Sequence, residues 1–416
     1  PYAQAPRGTS LAIPWRRSAP SRLRPATERP SSKRPMPDRR LALRQLGARA
    51  LTLAAAVAAP RVRAQEAANR ARILLGQSAA LSGAAAQLGL QFQAGARLYF
   101  SRINLRGGVN GRAVELKSLD DGYEPDRCER NTRQLLDEGV AALFGYIGTP
   151  TSLAALPLAT TAKTPFIAPF TGAQGLREPF NRYAFHVRAS YNDETARIVN
   201  QLTSVSMKNI GVFYQNDSYG QAGLAGVVRA LEAQRSKPVV TATVERNSVD
   251  VAAAVRTIVD ARPEAVVQIS AYKSCAAFVR EARKAGFGGQ FYNVSFVGTA
   301  ALAAELGAEA RGVVVSQVMP FPFAGTTAIA GEFLSAAAGA NVDVNYSSME
   351  GFVAAKTMVE GLRRSGGAGG DALVAALEGL RDFNLGGFFV DFSPTKHTGS
   401  NFVELTILGA DGKVRR

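Results

Sequence analysis

An α/β fold in two Rossmann-like lobes, each a parallel-rich sheet flanked by helices, is predicted by three observations on this sequence of 416 residues. From residue 71 onward, short apolar runs of strand length alternate with amphipathic runs of helix length. Repeated βα units of this size imply parallel strands, because each strand is followed by a helical return. The alternation restarts near Asp193, so the body holds two such series. Apolar residues make up 46% of the chain and charged residues 20%, which suits a globular protein with enough apolar side chains for two cores.

In the first series, residues 72–76 read as a strand entering a loop at 78–83, and 91–103 as a helix with Phe92, Ala96, Tyr99 and Phe100 on one stripe. Residues 114–119 read as strand, 125–138 as helix, 140–144 as strand, 151–161 as helix and 165–168 as strand. The second series has helices at 193–204, 220–234, 249–260 and 274–285, and strands at 209–214, 239–244, 265–269, 290–293 and 312–316. Helices at 329–338 and 349–365 precede a β-rich end at 388–392 and 401–408. Open α/β sheets bind ligands at the carboxyl ends of their strands, and two facing lobes turn those ends toward one cleft.

The net charge of +16 suggests nucleic acid until it is located. Residues 1–64 carry 14 of the 49 Lys and Arg and only two of the 33 acids, Glu28 and Asp38, so the remaining chain is close to balanced at +4. Phosphate-backbone binding needs a basic face on the folded domain, which the body does not offer. Residues 1–35, rich in Pro, Arg and Ser, read as a disordered tail or as sequence upstream of the true start, with Met36 as initiator. Residues 36–64 follow the layout of an export signal peptide. Arg39, Arg40, Arg44 and Arg49 precede an apolar run at 50–59, and Val62 and Ala64 set cleavage after Ala64. The pair Arg39-Arg40 loosely resembles a twin-arginine signal. The apolar run is too short to span a bilayer, and no Cys near the cut could take a lipid, so a periplasmic protein is expected. Cys128 and Cys275 are too far apart in sequence for a CxxC motif; two separate thiols are expected, with a bridge as the alternative.

The strand ends carry the chemistry. Loop 145–152 follows a buried strand and opens a helix, so Thr149, Thr151 and Ser152 join free amides and the positive helix end in a setting suited to a carboxylate. The plainer reading is an N-cap. Loop 168–172 adds Phe170, Thr171 and the Gly172 amide. Tyr219 and Tyr272 stand at strand ends of the second series, where a tyrosine offers apolar area and one hydrogen bond, or simply core packing. His186 and His397 belong to no catalytic motif and read as structural; Asp120-Asp121 lacks a third metal ligand and reads as a turn. No GxGxxG follows a strand and no GxxxxGK[ST] occurs, so no dinucleotide or P-loop cofactor is expected, nor an enzyme.

Residues 81–83 with 87–95, 103–111, Asp120-Asp121, 144–152, 216–220, 281–286 and Asp411-Gly412 form an ordered set. Together they resemble the periplasmic substrate-binding proteins of branched-chain amino-acid-type (Leu/Ile/Val-binding-like) ABC transporters, over nearly all of residues 71–410. The resemblance implies a type I periplasmic binding fold with lobe 1 at 65–187 plus 321–386 and lobe 2 at 188–320 plus 387–416. A three-crossing hinge would lie near 186–189, 318–320 and 387–389. It also implies a small carboxylate ligand, delivery to ABC permease subunits of the inner membrane, a monomer, and no cofactor or metal. Thr149 stands where the family holds the ligand carboxylate, with Phe170, Thr171 and Gly172 on the same side and Tyr219 and Tyr272 opposite. Ser295 stands where leucine-type binders have a glutamate for the ligand ammonium, and Leu88 and Phe352 replace pocket aromatics. A buried ammonium without an acid is costly. The ligand is therefore either an amino acid held differently or an amine-free organic or aromatic acid. Glu350 is the candidate replacement acid, with a solvated or structural role as the alternative. A ligand-sensing module of a receptor or regulator is the alternative function, since the fold serves both.

Overall fold

The computed structural model describes residues 72–416; the tail and export signal read in residues 1–64 lie outside them. The first sheet is built from β1 (Arg72–Ala79), α1 (Ala86–Asn104), β2 (Ala113–Asp120), α2 (Pro125–Asp137), β3 (Ala142–Phe144), α3 (Thr149–Thr161), β4 (Phe166–Ile167) and β5 (Ala184–Phe185). All its strands are parallel, in the order β2-β1-β3-β4-β5. Such a sheet needs helices on both faces, and β3 accordingly is a buried apolar run, while β1 is apolar over 73–76 and then buries Gln77 and Ser78.

The second series is α4 (Tyr191–Ser204), β6 (Ile210–Gln215), α5 (Ser218–Glu232), β7 (Val240–Val244), α6 (Ala252–Ala261), β8 (Ala265–Ile269), α7 (Tyr272–Lys284), β9 (Gln290–Asn293), α8 (Thr299–Leu306) and β10 (Val314–Gln317). Then come α9 (Ala328–Ala337), α10 (Tyr346–Arg364), α11 (Gly370–Glu378), a hairpin of β11 (Phe383–Asn384) and β12 (Phe389–Val390), β13 (Glu404–Leu408) and β14 (Val414–Arg415). The second sheet has the order β14-β13-β10-β9-β8-β6-β7, parallel except for β13 against β10 and β14 against β13. Both sheets reverse strand order beside their first strand, at β1/β3 and at β6/β8, which opens a crevice at the carboxyl ends of those strands.

α10 returns to pack on α1, so this helix belongs with the first sheet, while β13 and β14 rejoin the second. The two helix backbones touch: a Cβ on Gly95 would stand 1.8 Å from the Ser348 carbonyl oxygen, and one on Gly351 2.0 Å from that of Phe92. The chain passes between the sheets after β5 and after β10, where 186–189 and 318–320 were expected. The third expected passage, 387–389, needs correction. Gly386 and Gly387, at φ 114° and 90°, make the turn of the β11–β12 hairpin, and both amides donate to the Asn384 side chain. The chain then stays beside the first sheet until Thr398 bridges His186 and Gly399 N–H donates to the His186 carbonyl at 2.7 Å. Only after that does it enter β13.

Cys128 and Cys275 are free and buried, their thiols donating to the Thr151 and Ser270 carbonyls at 3.4 Å, so the bridge alternative falls. His186 and His397 are buried and bond to the Leu176 and Ala184 carbonyls at 3.0 Å. Asp120 accepts the Leu81, Ser82 and Gly122 amides and Asp121 accepts Tyr123 N–H, which pins the loop after β1 to the loop after β2. Among the described residues no helix is long and apolar enough to cross a membrane, and no His, Cys, Asp and Glu group could hold a metal ion.

Candidate functional site

The loop after β3 delivers Thr149 to the first turn of α3, and the loop after β4 delivers Thr171 beside it, with 2.6 Å between the two hydroxyl oxygens. Gly148 makes the approach possible: its φ is 97°, and a Cβ there would stand 2.2 Å from the Tyr123 ring. The Thr171 hydroxyl also lies 3.3 Å from the Tyr191 hydroxyl, and within the Thr149–Thr171 pair either hydroxyl can donate. A Cβ on Gly172 would stand 2.6 Å from Tyr191, so this ring shuts the cradle. Thr151 bonds back to the chain before it, donating to the Ile147 carbonyl at 2.5 Å, while the buried Ser152 hydroxyl has no hydrogen-bond partner.

The opposite wall comes from the second sheet. Tyr219, in the first turn of α5, is fully buried 5.5 Å from the Tyr191 ring and 4.6 Å from Phe296. Phe296 also packs on Phe170 at 5.6 Å and on Tyr123 at 5.9 Å, so aromatic rings join the two sheets across the crevice. Ser295 immediately precedes Phe296 and faces Arg188. Thr149, Phe170, Thr171, Gly172, Tyr219 and Ser295 thus converge on one buried region.

Three expected site residues stand elsewhere. Phe352 packs between Tyr99 and Phe333, 5.0 and 5.4 Å away, in the core between α1, α9 and α10. Its side chain follows the α10 stripe into the helix pair instead of toward the crevice. Tyr272 lines a wider opening of about 680 Å³ at the mouth, with Gln87, Lys273, Glu305 and Asn345. Leu88 packs against Gly298, where an added Cβ would meet its Cδ2 at 2.4 Å, and so seals the side of the closed crevice.

Sequence reasoning missed two charged residues at the centre and left a third undecided. Arg188 is 1% exposed, with its guanidinium 4.9 Å above the Phe170 ring. Its Nη2 donates to the Ser295 hydroxyl and to Glu194 at 3.3 Å, and its Nη1 lies 3.5 Å from Glu350. Nε and Nη1 have no hydrogen-bond acceptor. Glu194, fully buried, accepts from the Ser295 amide at 2.7 Å, the Ser295 hydroxyl at 3.0 Å and the Ser316 hydroxyl at 2.6 Å. A carboxylate on α4 thus lies against position 295. A capping box between Ser190 and Asp193 fixes the start of that helix, and Glu194 lies with Ile198 and Leu202 on its buried stripe. An acid on an apolar stripe was the available signal.

Glu350, 5% exposed on α10, is not solvated. Burial pushes its carboxyl up to about 7, outweighing the attraction of Arg188, and Glu194 adds to the rise. Burial also lowers Arg177, to about 10, with Arg188 adding to the fall. Phe170, Ser295, Gln317, Tyr346, Ser347 and Glu350 line a cavity of about 10 Å³, room for one water-sized group. At the rim, Arg246 ties the two sides together, 2.9 Å from Glu124 and 3.3 Å from Asp217. Such an arrangement can enclose a small polar molecule and hold it by hydroxyls and charges.

The sequence profile of the periplasmic binding protein family matches residues 72–413. An amino acid binding protein of Pseudomonas aeruginosa is 26% identical over 240 residues, covering 57% of this chain and 64% of that protein, so the match spans just under two thirds of that relative's length. The solved structure of a possible leucine/isoleucine/valine-binding protein from Rhodopirellula baltica is 33% identical, covers 83% of this chain and 96% of its own, and superposes with a TM-score of 0.78. A substrate-binding periplasmic protein from Ralstonia solanacearum has the same identity and TM-score, with 82% and 99% covered. This chain belongs to the periplasmic binding protein family, and within it to the Leu/Ile/Val-binding type.

Proposed function

We propose that this protein captures a small carboxylate-bearing solute in the periplasm, between its two sheets, and delivers it to the permease of an ABC importer. The observation that carries this reading is the Thr149–Thr171 hydroxyl pair at the N-terminus of α3, buried opposite Tyr219 and Ser295 of the second side. A helix N-terminus with two hydroxyls favours an anion, and the facing wall encloses it. The relatives' names, amino acid binding and leucine/isoleucine/valine-binding, agree with such a solute. Lobe 1 would comprise 72–187 plus 321–399 and lobe 2 188–320 plus 400–416, turning about the three passages so that closure traps the ligand. Residues 36–64 would direct export and be removed, which sequencing of the exported N-terminus checks by a start at Gln65.

A thermal-shift screen of the exported protein against amino acids and amine-free carboxylates tests the reading. Ligand at about 100 times its Kd adds roughly 2.7 kcal/mol of stability. Thr149→Val, which keeps the shape and removes the hydroxyl, should weaken the best hit about tenfold by calorimetry. Absence of any stabilising carboxylate, or a variant that binds as tightly as the parent, overturns the assignment.

A further inference from the structure

The acids around the cavity are not equally partnered. Glu194 and Glu350 both lie against the Arg188 guanidinium, all three are buried, and the buried Arg177 stands further back. The two acids are not equivalent. Glu194 accepts three hydrogen bonds from Ser295 and Ser316 in addition to Arg188, so its oxygens are satisfied. Glu350 accepts none, and its nearest cation is Arg188 Nη1 at 3.5 Å. It is therefore the acceptor with spare capacity, and it stands on the wall of the one-group cavity beside Ser295, Ser347 and the Phe170 ring. A cationic group of ammonium size placed there would meet a carboxylate, hydroxyls and an aromatic face.

We infer that Glu350 is the specificity-determining residue of the cleft and takes the cationic group of the ligand, while Thr149 and Thr171 take its carboxylate. This rests on the cleft-binding reading above. An amine-free acid has nothing to offer Glu350, because it leaves that carboxylate without a hydrogen-bond donor. The charged and titratable groups facing Glu350 are Arg188 and Glu194, with Arg177 behind them and Tyr346 on its own helix. Its carboxyl titrates near neutrality. At pH 7 a share of the molecules carries a proton there, and ammonium binding releases it, so an amine-bearing ligand gives up a fraction of a proton per site. Binding of an amine-free acid runs the other way and takes a proton up. The two ligand classes are thus separated by the sign of the proton exchange as well as by affinity.

The test uses the full exported protein and calorimetry at pH 7 in two buffers of different ionisation enthalpy. The probes are L-α-amino acids, each paired with the amine-free carboxylic acid of the same carbon skeleton. The expected result is a best amino acid at least tenfold tighter than its twin, with proton release. Glu350→Gln should then lose roughly thirtyfold or more for the amino acid, leave the twin unchanged or tighter, and abolish proton exchange. Should that variant fail to fold, the parent's proton release and its preference within the pair decide the matter alone. Proton uptake with the amino acid, equal affinity within the pair, or an unaffected Glu350→Gln overturns the role of Glu350 while leaving cleft binding intact. Binding by neither class overturns the proposed function, and this inference falls with it.

Discussion

Replacing Glu350 by glutamine in the ligand-free protein changes stability in a pH-dependent way whose size follows from the structure. The Glu350 carboxyl titrates near 4.5 when unperturbed and near 7 in the fold, because burial outweighs Arg188 at 3.5 Å. The folded state therefore holds this proton more tightly than the unfolded chain does. The stability it contributes is fully present below about pH 4.5 and is lost as pH rises through 7. With 1.36 kcal/mol per pKa unit, the loss between pH 5 and pH 8 is on the order of 2–3 kcal/mol. Glutamine carries no such proton, and every other titrating group is common to both proteins and cancels in the difference. For an unfolding entropy scaled to this chain length, the melting temperature of the variant should gain roughly 3 to 4 °C on the parent from pH 5 to pH 8. Differential scanning calorimetry of both proteins over that range, without ligand, reads the difference directly. A difference that stays flat within about 1 °C, or that moves in favour of the parent, means that Arg188 and Arg177 keep Glu350 ionised at ordinary pH.

Three further outcomes follow from particular contacts. Gly351→Ala should destabilise the fold by about 1–3 kcal/mol in urea unfolding, since its Cβ would overlap the Phe92 carbonyl at the α1–α10 contact. Arg246→Ala removes the tie from the second side to Glu124; the pair is partly exposed, so ligand affinity should fall only about two- to fivefold, chiefly through faster release in stopped flow. Neither Cys128 nor Cys275 should react with a thiol reagent in the folded protein, because both are buried and burial raises both thiols, and two thiols should titrate once it is unfolded.

The alternating pattern made the fold legible because nearly every strand of both sheets is a short buried run followed by a helix with one apolar stripe. α8 and α11 escaped notice: Thr299–Leu306 and Gly370–Glu378 are short and mostly alanine, leucine and glycine, with little polar contrast to mark a face. The third passage was misplaced because the Gly386-Gly387 break reads equally well as a hinge or as a hairpin turn, and only the bridge of His186 to Thr398 shows which. At the site, the hydroxyls on the loops after β3 and β4 were visible as strand-end residues. Phe352 was not placed correctly, since a helix position fixes a rotation angle and only the packing on Tyr99 and Phe333 shows where that angle points. Arg188 and Glu194 were invisible to motif reading because they are six residues apart in a loop and a helix, and they meet Ser295 only through the fold.

Position-by-position transfer from relatives treats a site as a set of columns, whereas the cost of a buried charge depends on what surrounds it in space. At Ser295 the column lacks an acid, yet Glu194 lies against both the Ser295 amide and its hydroxyl, and Glu350 stands across the cavity. The acid missing along the chain is present in three dimensions, and Glu350 is the one that has no hydrogen-bond donor. Under the proposed closure an empty cleft would bury that carboxylate without a donor, so that it takes a proton or stays unsatisfied. Closing on a ligand that brings its own cation requires neither. If Glu350 receives that cation, the group that selects the ligand also weights closure toward the loaded state, and raising the pH above 7 should make closure depend more steeply on an amine-bearing solute.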